Sequence, residues 1–118
     1  MGTPPANPRK KVTLPTLHEM HKKGDPITMM TAHDFPSGHV ADAAGMDVVL
    51  VGDSLAMVAL GMEDTSEVLL EEMLLHCRSV ARATKAAFTV CFFLRSHSYS
   101  WCQPCSLLLG WRPAHGII

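Results

Sequence analysis

Asp47-Val48-Val49-Leu50-Val51-Gly52-Asp53-Ser54-Leu55 is the stretch on which the reading of this chain turns. Four apolar, mostly β-branched residues run straight into Gly-Asp-Ser, the pattern of a strand buried on both faces. In parallel α/β folds the chemistry sits at the carboxyl ends of the strands. Asp53 and Ser54 are thereby placed where a metal ion or an oxyanion is held. The same two residues equally suit a strand closed by an Asx or Ser turn.

Working outward, the upstream segment alternates helix and strand. Thr16-Leu17-His18-Glu19 has the spacing of a capping box and predicts a short helix to Lys23, ended by Gly24. Ile27 to Ala32 reads as a strand. Asp34 takes an N-cap position with Pro36 just inside a helix that stops at Gly45. Downstream, Leu70, Met73, Leu74, Cys77, Val80 and Ala81 form one apolar stripe at helical period, predicting a helix from Ser66 or Leu70 to Thr84. Its acids crowd the start and its bases the end, as the helix dipole favours. A third strand begins at Ala87. The order β-α-β-α-β argues for parallel pairing with right-handed crossovers. Met29, Met30, Met46, Met57 and Met73 read as core filler, and His76 as a surface or packing histidine.

Composition excludes several classes. A net charge of −1 over 118 residues gives no electrostatic case for nucleic acid or an anionic membrane. The longest apolar runs fall far short of a spanning helix. Arg9-Lys10-Lys11 with no acid before Glu19 has the character of a transit peptide or of a solvated, Pro-rich tail. All 11 acidic residues lie between Glu19 and Glu72. Beyond Val90 there is no Lys, while both Trp, the single Tyr and Cys91, Cys102 and Cys105 fall there. A surface of mixed charge throughout is the rule for one α/β domain, so residues 91–118 read as foreign sequence. Trp101-Cys102-Gln103-Pro104-Cys105 imitates a thioredoxin motif, but the helix that should follow is cut by Gly110 and Pro113.

Thr31-Ala32-His33-Asp34, Ala44-Gly45-Met46-Asp47 and Leu50-Val51-Gly52-Asp53-Ser54-Leu55-Ala56-Met57-Val58 together resemble the ketopantoate hydroxymethyltransferase family. Gly61, Thr65, Glu72-Met73, His76 and Val80-Ala81-Arg82 continue the resemblance to Val90, where it stops. His33 departs from the family's usual Tyr. The resemblance implies the N-terminal β-α-β-α-β portion of a (β/α)8 TIM barrel of the phosphoenolpyruvate/pyruvate type, incomplete, since a barrel needs about 250 residues. The expected organisation is a flexible segment over 1–15, a partial barrel over 16–90 and a disordered, non-family tail over 91–118.

The implied activity is transfer of a hydroxymethyl group from 5,10-methylenetetrahydrofolate to 3-methyl-2-oxobutanoate, giving 2-dehydropantoate in pantothenate synthesis. In that family Mg²⁺ binds the 2-oxo acid and polarises its ketone, so that loss of the C3 proton gives an enolate. By this resemblance Asp53 is a metal ligand and substrate contact, and Ser54 hydrogen-bonds the substrate. The family's second Asp, in a Gly-Asp-x-Pro turn, is replaced here by Cys91-Phe92-Phe93-Leu94. Its general base has no match, so no catalytic residue is assigned. The expected partners are a small 2-oxo acid and folate, with no nucleic acid or membrane, and the full-length family is homo-oligomeric. The expected location is intracellular, in the mitochondrion or the cytoplasm. Two other readings stand beside this one. One is a truncated, non-catalytic fragment; the other is a different Mg²⁺-dependent barrel enzyme acting on a 2-oxo acid.

Overall fold

A computed structural model of the chain describes residues 9–95 and 98–101. Its centre is β2 (Val48–Gly52), with Val49 and Val51 fully buried and Val48 nearly so. The run of β-branched residues is therefore covered on both faces, as its sequence requires. β1 (Met29–Thr31) and β3 (Phe88–Arg95) flank it, both parallel, in register Met29 with Val48 with Phe88. The result is an α/β fold with a three-stranded parallel sheet.

Two longer helices and one short one lie between these strands. α2 (Phe35–Ala43) is capped by Asp34, whose carboxylate accepts from the backbone N–H of Ser37 at 2.8 Å while the Ser37 hydroxyl accepts from the N–H of Asp34. α4 (Leu70–Ala83) turns Met73, Cys77, Val80 and Ala83 into the core. The Glu72 carboxylate reaches back to the N–H of Leu69 at 2.8 Å and satisfies one of the orphan donors of its first turn. α2 and α4 approach closely at Gly38, where a Cβ would lie 3.2 Å from that of Ala83 and 3.3 Å from Val80. A short helix α3 (Leu55–Val58) and a 3₁₀ turn (Thr65–Glu67) connect β2 to α4.

Several expectations change. The first helix, α1 (Leu14–Lys23), begins ahead of Thr16. Thr13 is its N-cap, without a side-chain cap bond, and Pro15 is preorganised for the first turn. Gly24 ends it in the left-handed region, φ 74°, as its sequence suggests. Nor is the segment before α1 loose from Arg9 onward. Val12 is buried and donates its N–H to the carbonyl of Ala86 at 2.7 Å, and Arg9 donates to that of Met46 at 2.7 Å.

Of the five methionines taken for core, Met73 is buried and Met46 packs against the core, but Met29, Met30 and Met57 are exposed. β1 is the sheet's outer strand, so its residues have a neighbour on one side only. On α4, Leu70 is exposed, because the apolar face rotates toward Ala83 along the helix. Finally, strand structure does not stop near Val90. β3 continues to Arg95 and pairs antiparallel with β4 (Ser98–Trp101), Phe92 opposite Trp101 and Arg95 opposite Ser98. The apolar run Phe88–Leu94 sustains the strand, and a connection of two residues admits only antiparallel return.

Asp42 closes the far end of this arrangement. Its carboxylate accepts the backbone N–H groups of Lys85, Ala86 and Ala87 at 2.9, 3.0 and 2.7 Å, fixing α2 to the turn that launches β3. Burial pushes its carboxyl up, but those three donors, aided by Arg9, outweigh it and hold it below the usual carboxylate range. Asp42→Ala should cost roughly 1–3 kcal/mol, since three inward donors lose their acceptor. A urea titration measures it. Because the folded-state value is depressed, this contribution is present above the ordinary carboxylate range and is lost as pH falls through the folded value. The Ala variant should therefore lose less stability on acidification than its parent, and equal acid sensitivity would contradict this role for Asp42.

Candidate functional site

The carboxyl ends of β1 and β2 lie side by side, because Thr31 pairs with Leu50 and the N–H of Ala32 donates to the Leu50 carbonyl at 2.9 Å. The residues that follow the two strands, His33-Asp34 and Asp53-Ser54, thus emerge at one edge of the sheet. This is the edge where parallel α/β folds build their sites.

Asp53 is the sole charged residue buried among those described, at 9% exposed. It sits at the point where β2 gives way to α3, and its carbonyl accepts the N–H of Ala56 at 3.0 Å. A Cβ at Gly52 would lie 3.6 Å from the Ser54 Oγ, an ordinary contact, so the turn does not depend on a glycine there. Ser54 is exposed, and it caps α3 by its backbone alone, its carbonyl accepting from Met57 and Val58. A sheltered carboxylate thus adjoins an outward hydroxyl that no capping bond engages.

A second constellation, which the sequence did not suggest as a unit, lies at the end of β1. His76, on α4, donates from Nδ1 to the carbonyl of His33, and the two imidazole centroids are 6.1 Å apart. His33 Nε2 is 3.6 Å from Asp34 Oδ2. The hydroxyl and then the N–H of Ser37 hold the Asp34 carboxyl below its usual range, with smaller help from the two histidines. His76 is a packing residue that fastens the β1–α2 loop to α4. At the opposite end of β2, Asp47 is committed to structure, accepting from the Thr28 N–H at 3.0 Å and hydroxyl at 2.9 Å, with Arg9 at 3.5 Å.

Among the described residues no group of three or more His, Cys, Asp or Glu converges so as to hold a metal ion. The donor chemistry of Asp53 and Ser54 suits a hard cation, but its count does not, because Mg²⁺ demands near-octahedral oxygen ligation with waters and substrate completing the set. Asp53 fits as one ligand and no more. Cys102 and Cys105 lie outside the described residues, and no described helix is long and apolar enough to cross a membrane.

Comparison with known proteins agrees with the motifs. Residues 11–102 match the family model described as ketopantoate hydroxymethyltransferase, a span that runs on past Val90. A 3-methyl-2-oxobutanoate hydroxymethyltransferase of Emericella nidulans is 74% identical over 90 residues, covering 76% of this chain and 26% of that protein. The mitochondrial 3-methyl-2-oxobutanoate hydroxymethyltransferase 1 of Arabidopsis thaliana is 49% identical over 75% of this chain and 26% of its own length. For the Moorella thermoacetica protein of the same name the figures are 52%, 70% and 30%. The chain spans about a quarter to a third of these relatives.

Proposed function

Since the chain belongs to the ketopantoate hydroxymethyltransferase family, we propose that it forms the N-terminal part of a (β/α)8 barrel that transfers a hydroxymethyl group. The acceptor is 3-methyl-2-oxobutanoate, the donor 5,10-methylenetetrahydrofolate and the product 2-dehydropantoate. A hydroxymethyltransferase requires a one-carbon donor, and the folate is the specific donor proposed. The observation that carries this reading is a buried carboxylate, Asp53, at the carboxyl end of the central parallel strand, beside an exposed Ser54 hydroxyl.

In this reading Asp53 supplies one oxygen ligand to Mg²⁺, and the remaining ligands come from outside the described residues. When bound, the ion would polarise the 2-oxo group. Ser54 donates its hydroxyl to the 2-oxo acid and orients it. Partial burial of Asp53 lowers the local dielectric around its charge and strengthens its pull on a cation. His33 and Asp34 line the neighbouring strand end, with their loop held by His76. The compartment proposed is the mitochondrion or the cytoplasm, and the complete protein is proposed to be a homo-oligomer.

The test is a chimera in which residues 1–90 of this chain are followed by the remainder of the Emericella nidulans relative. With Mg²⁺ and methylenetetrahydrofolate it is expected to convert 3-methyl-2-oxobutanoate to 2-dehydropantoate. A soluble, folded chimera that makes none, beside an active parent relative, would sink the proposal.

A further inference from the structure

His33 stands beside the candidate site with its main chain engaged on both sides. Its N–H donates to the Ser37 hydroxyl at 3.2 Å, and its carbonyl accepts from His76 Nδ1. The ring is not so engaged. Its side chain is 39% exposed, and Nε2 lies 3.6 Å from Asp34 Oδ2, beyond hydrogen-bond reach. Counting on from Thr31, which pairs with Leu50, His33 comes level with Gly52, the last residue of β2 before Asp53. Neighbouring strands run about 4.8 Å apart, so His33 emerges about one strand spacing from the Asp53–Ser54 turn.

We propose that His33 contacts the substrate, donating a ring N–H to the carboxylate of the 2-oxo acid, and that His76 is the positioning residue that aims it. The inference rests on the transferase reading above and adds to it a residue that selects an acid. The substrate brings its carboxylate to a strand end where the described side chains are an acid, Asp53, and one hydroxyl, Ser54. A further donor is needed there, and an imidazole supplies one. A ring whose N–H was already spent on the protein could not serve. His76 acts at one remove. Its Nδ1–H on the His33 carbonyl holds that residue from one side while Ser37 holds it from the other. Freedom that binding would otherwise have to freeze is thus removed in advance.

The contact and its support are tested separately. In the full 118-residue chain, nitrogen NMR should find a proton on His76 Nδ1, and a bare Nδ1 would overturn the positioning role. Kinetics then use the chimera described above, with a thermal melt on each variant. His33→Phe keeps a flat ring without a donor. It should raise KM for 3-methyl-2-oxobutanoate about ten-fold while kcat changes by less than about three-fold. His33→Tyr restores a donor on a flat ring and should recover most of that loss. Should His33→Phe fail to fold, His33→Leu takes its place. His76→Leu should raise KM in the same manner, whereas His76→Asn, whose amide can donate from near the place of Nδ1, should keep most of what Leu loses. Because His76 acts through His33, the double variant His33→Phe with His76→Leu should be no worse than His33→Phe alone. In an active chimera, an unchanged KM for folded His33→Phe, or two losses that multiply, would overturn the proposal and leave the transferase reading standing. A folded chimera without activity would overturn both.

Discussion

Asp53→Asn in the chimera is expected to lower turnover of 3-methyl-2-oxobutanoate by about 10²–10³, the loss typical of removing one preorganised electrostatic contact. Asn keeps the shape and one carbonyl oxygen, so the turn from Gly52 into α3 survives and the melting temperature should shift little. What disappears is the negative charge at the end of β2. The loss should be partly offset by raised Mg²⁺ if Asp53 is a ligand, since a weakened site refills by mass action. Ser54→Ala removes a hydroxyl that the helix cap does not use. It should raise KM more than it lowers kcat, the pattern of a substrate contact. Steady-state kinetics with a thermal melt on each variant separates the roles. A rate for Asp53→Asn within a few-fold of the parent, on a folded protein, would reduce Asp53 to the turn residue that its sequence equally allows.

That alternative reading shows where sequence stops being sufficient. Val48–Val51 could be read as a strand covered on both faces because β-branched residues without polar alternation have one good home. Asp34 and Gly24 could be read as caps because their partners are within four residues. Features decided at long range had no such signature. Asp42 looks like an ordinary helix acid, and its partners lie more than 40 residues away. His76 finds the His33 carbonyl across a similar gap. The exposure of Met29 and Met30 follows from β1 being the outer strand, a fact of topology that their hydrophobicity cannot reveal.

The carboxyl end of β3 was harder still. Charge composition marks a break near Val90, yet strand propensity continues through Phe92 and Phe93, and the structure follows the propensity into a hairpin with β4. A parallel barrel strand would instead lead into a loop and helix. For Asp53, position and chemistry are legible in the sequence, but burial is not. The 9% exposure turns a strand-end acid into a candidate ligand.

The 118-residue chain by itself is expected to form no 2-dehydropantoate above background under conditions where the chimera turns over. Hydroxymethyl transfer needs the ion held, the ketone polarised, the C3 proton removed and the one-carbon donor positioned together, and groups that act as a unit do not contribute separately. Of these, Asp53 and Ser54 serve part of the first two. No acid follows Glu72, so nothing later in the sequence can supply a carboxylate base or a second carboxylate ligand. Within β3, just past Val90, where the resemblance implies a second Asp, stand Cys91 and Phe92, a soft sulfur and an apolar ring that a hard cation does not choose. Product measured side by side for chain and chimera, with Asp53→Ala in each, decides the matter. Turnover by the short chain that is lost on Asp53→Ala would show that residues outside those described furnish the missing ligands, and the requirement for the rest of a barrel would fall.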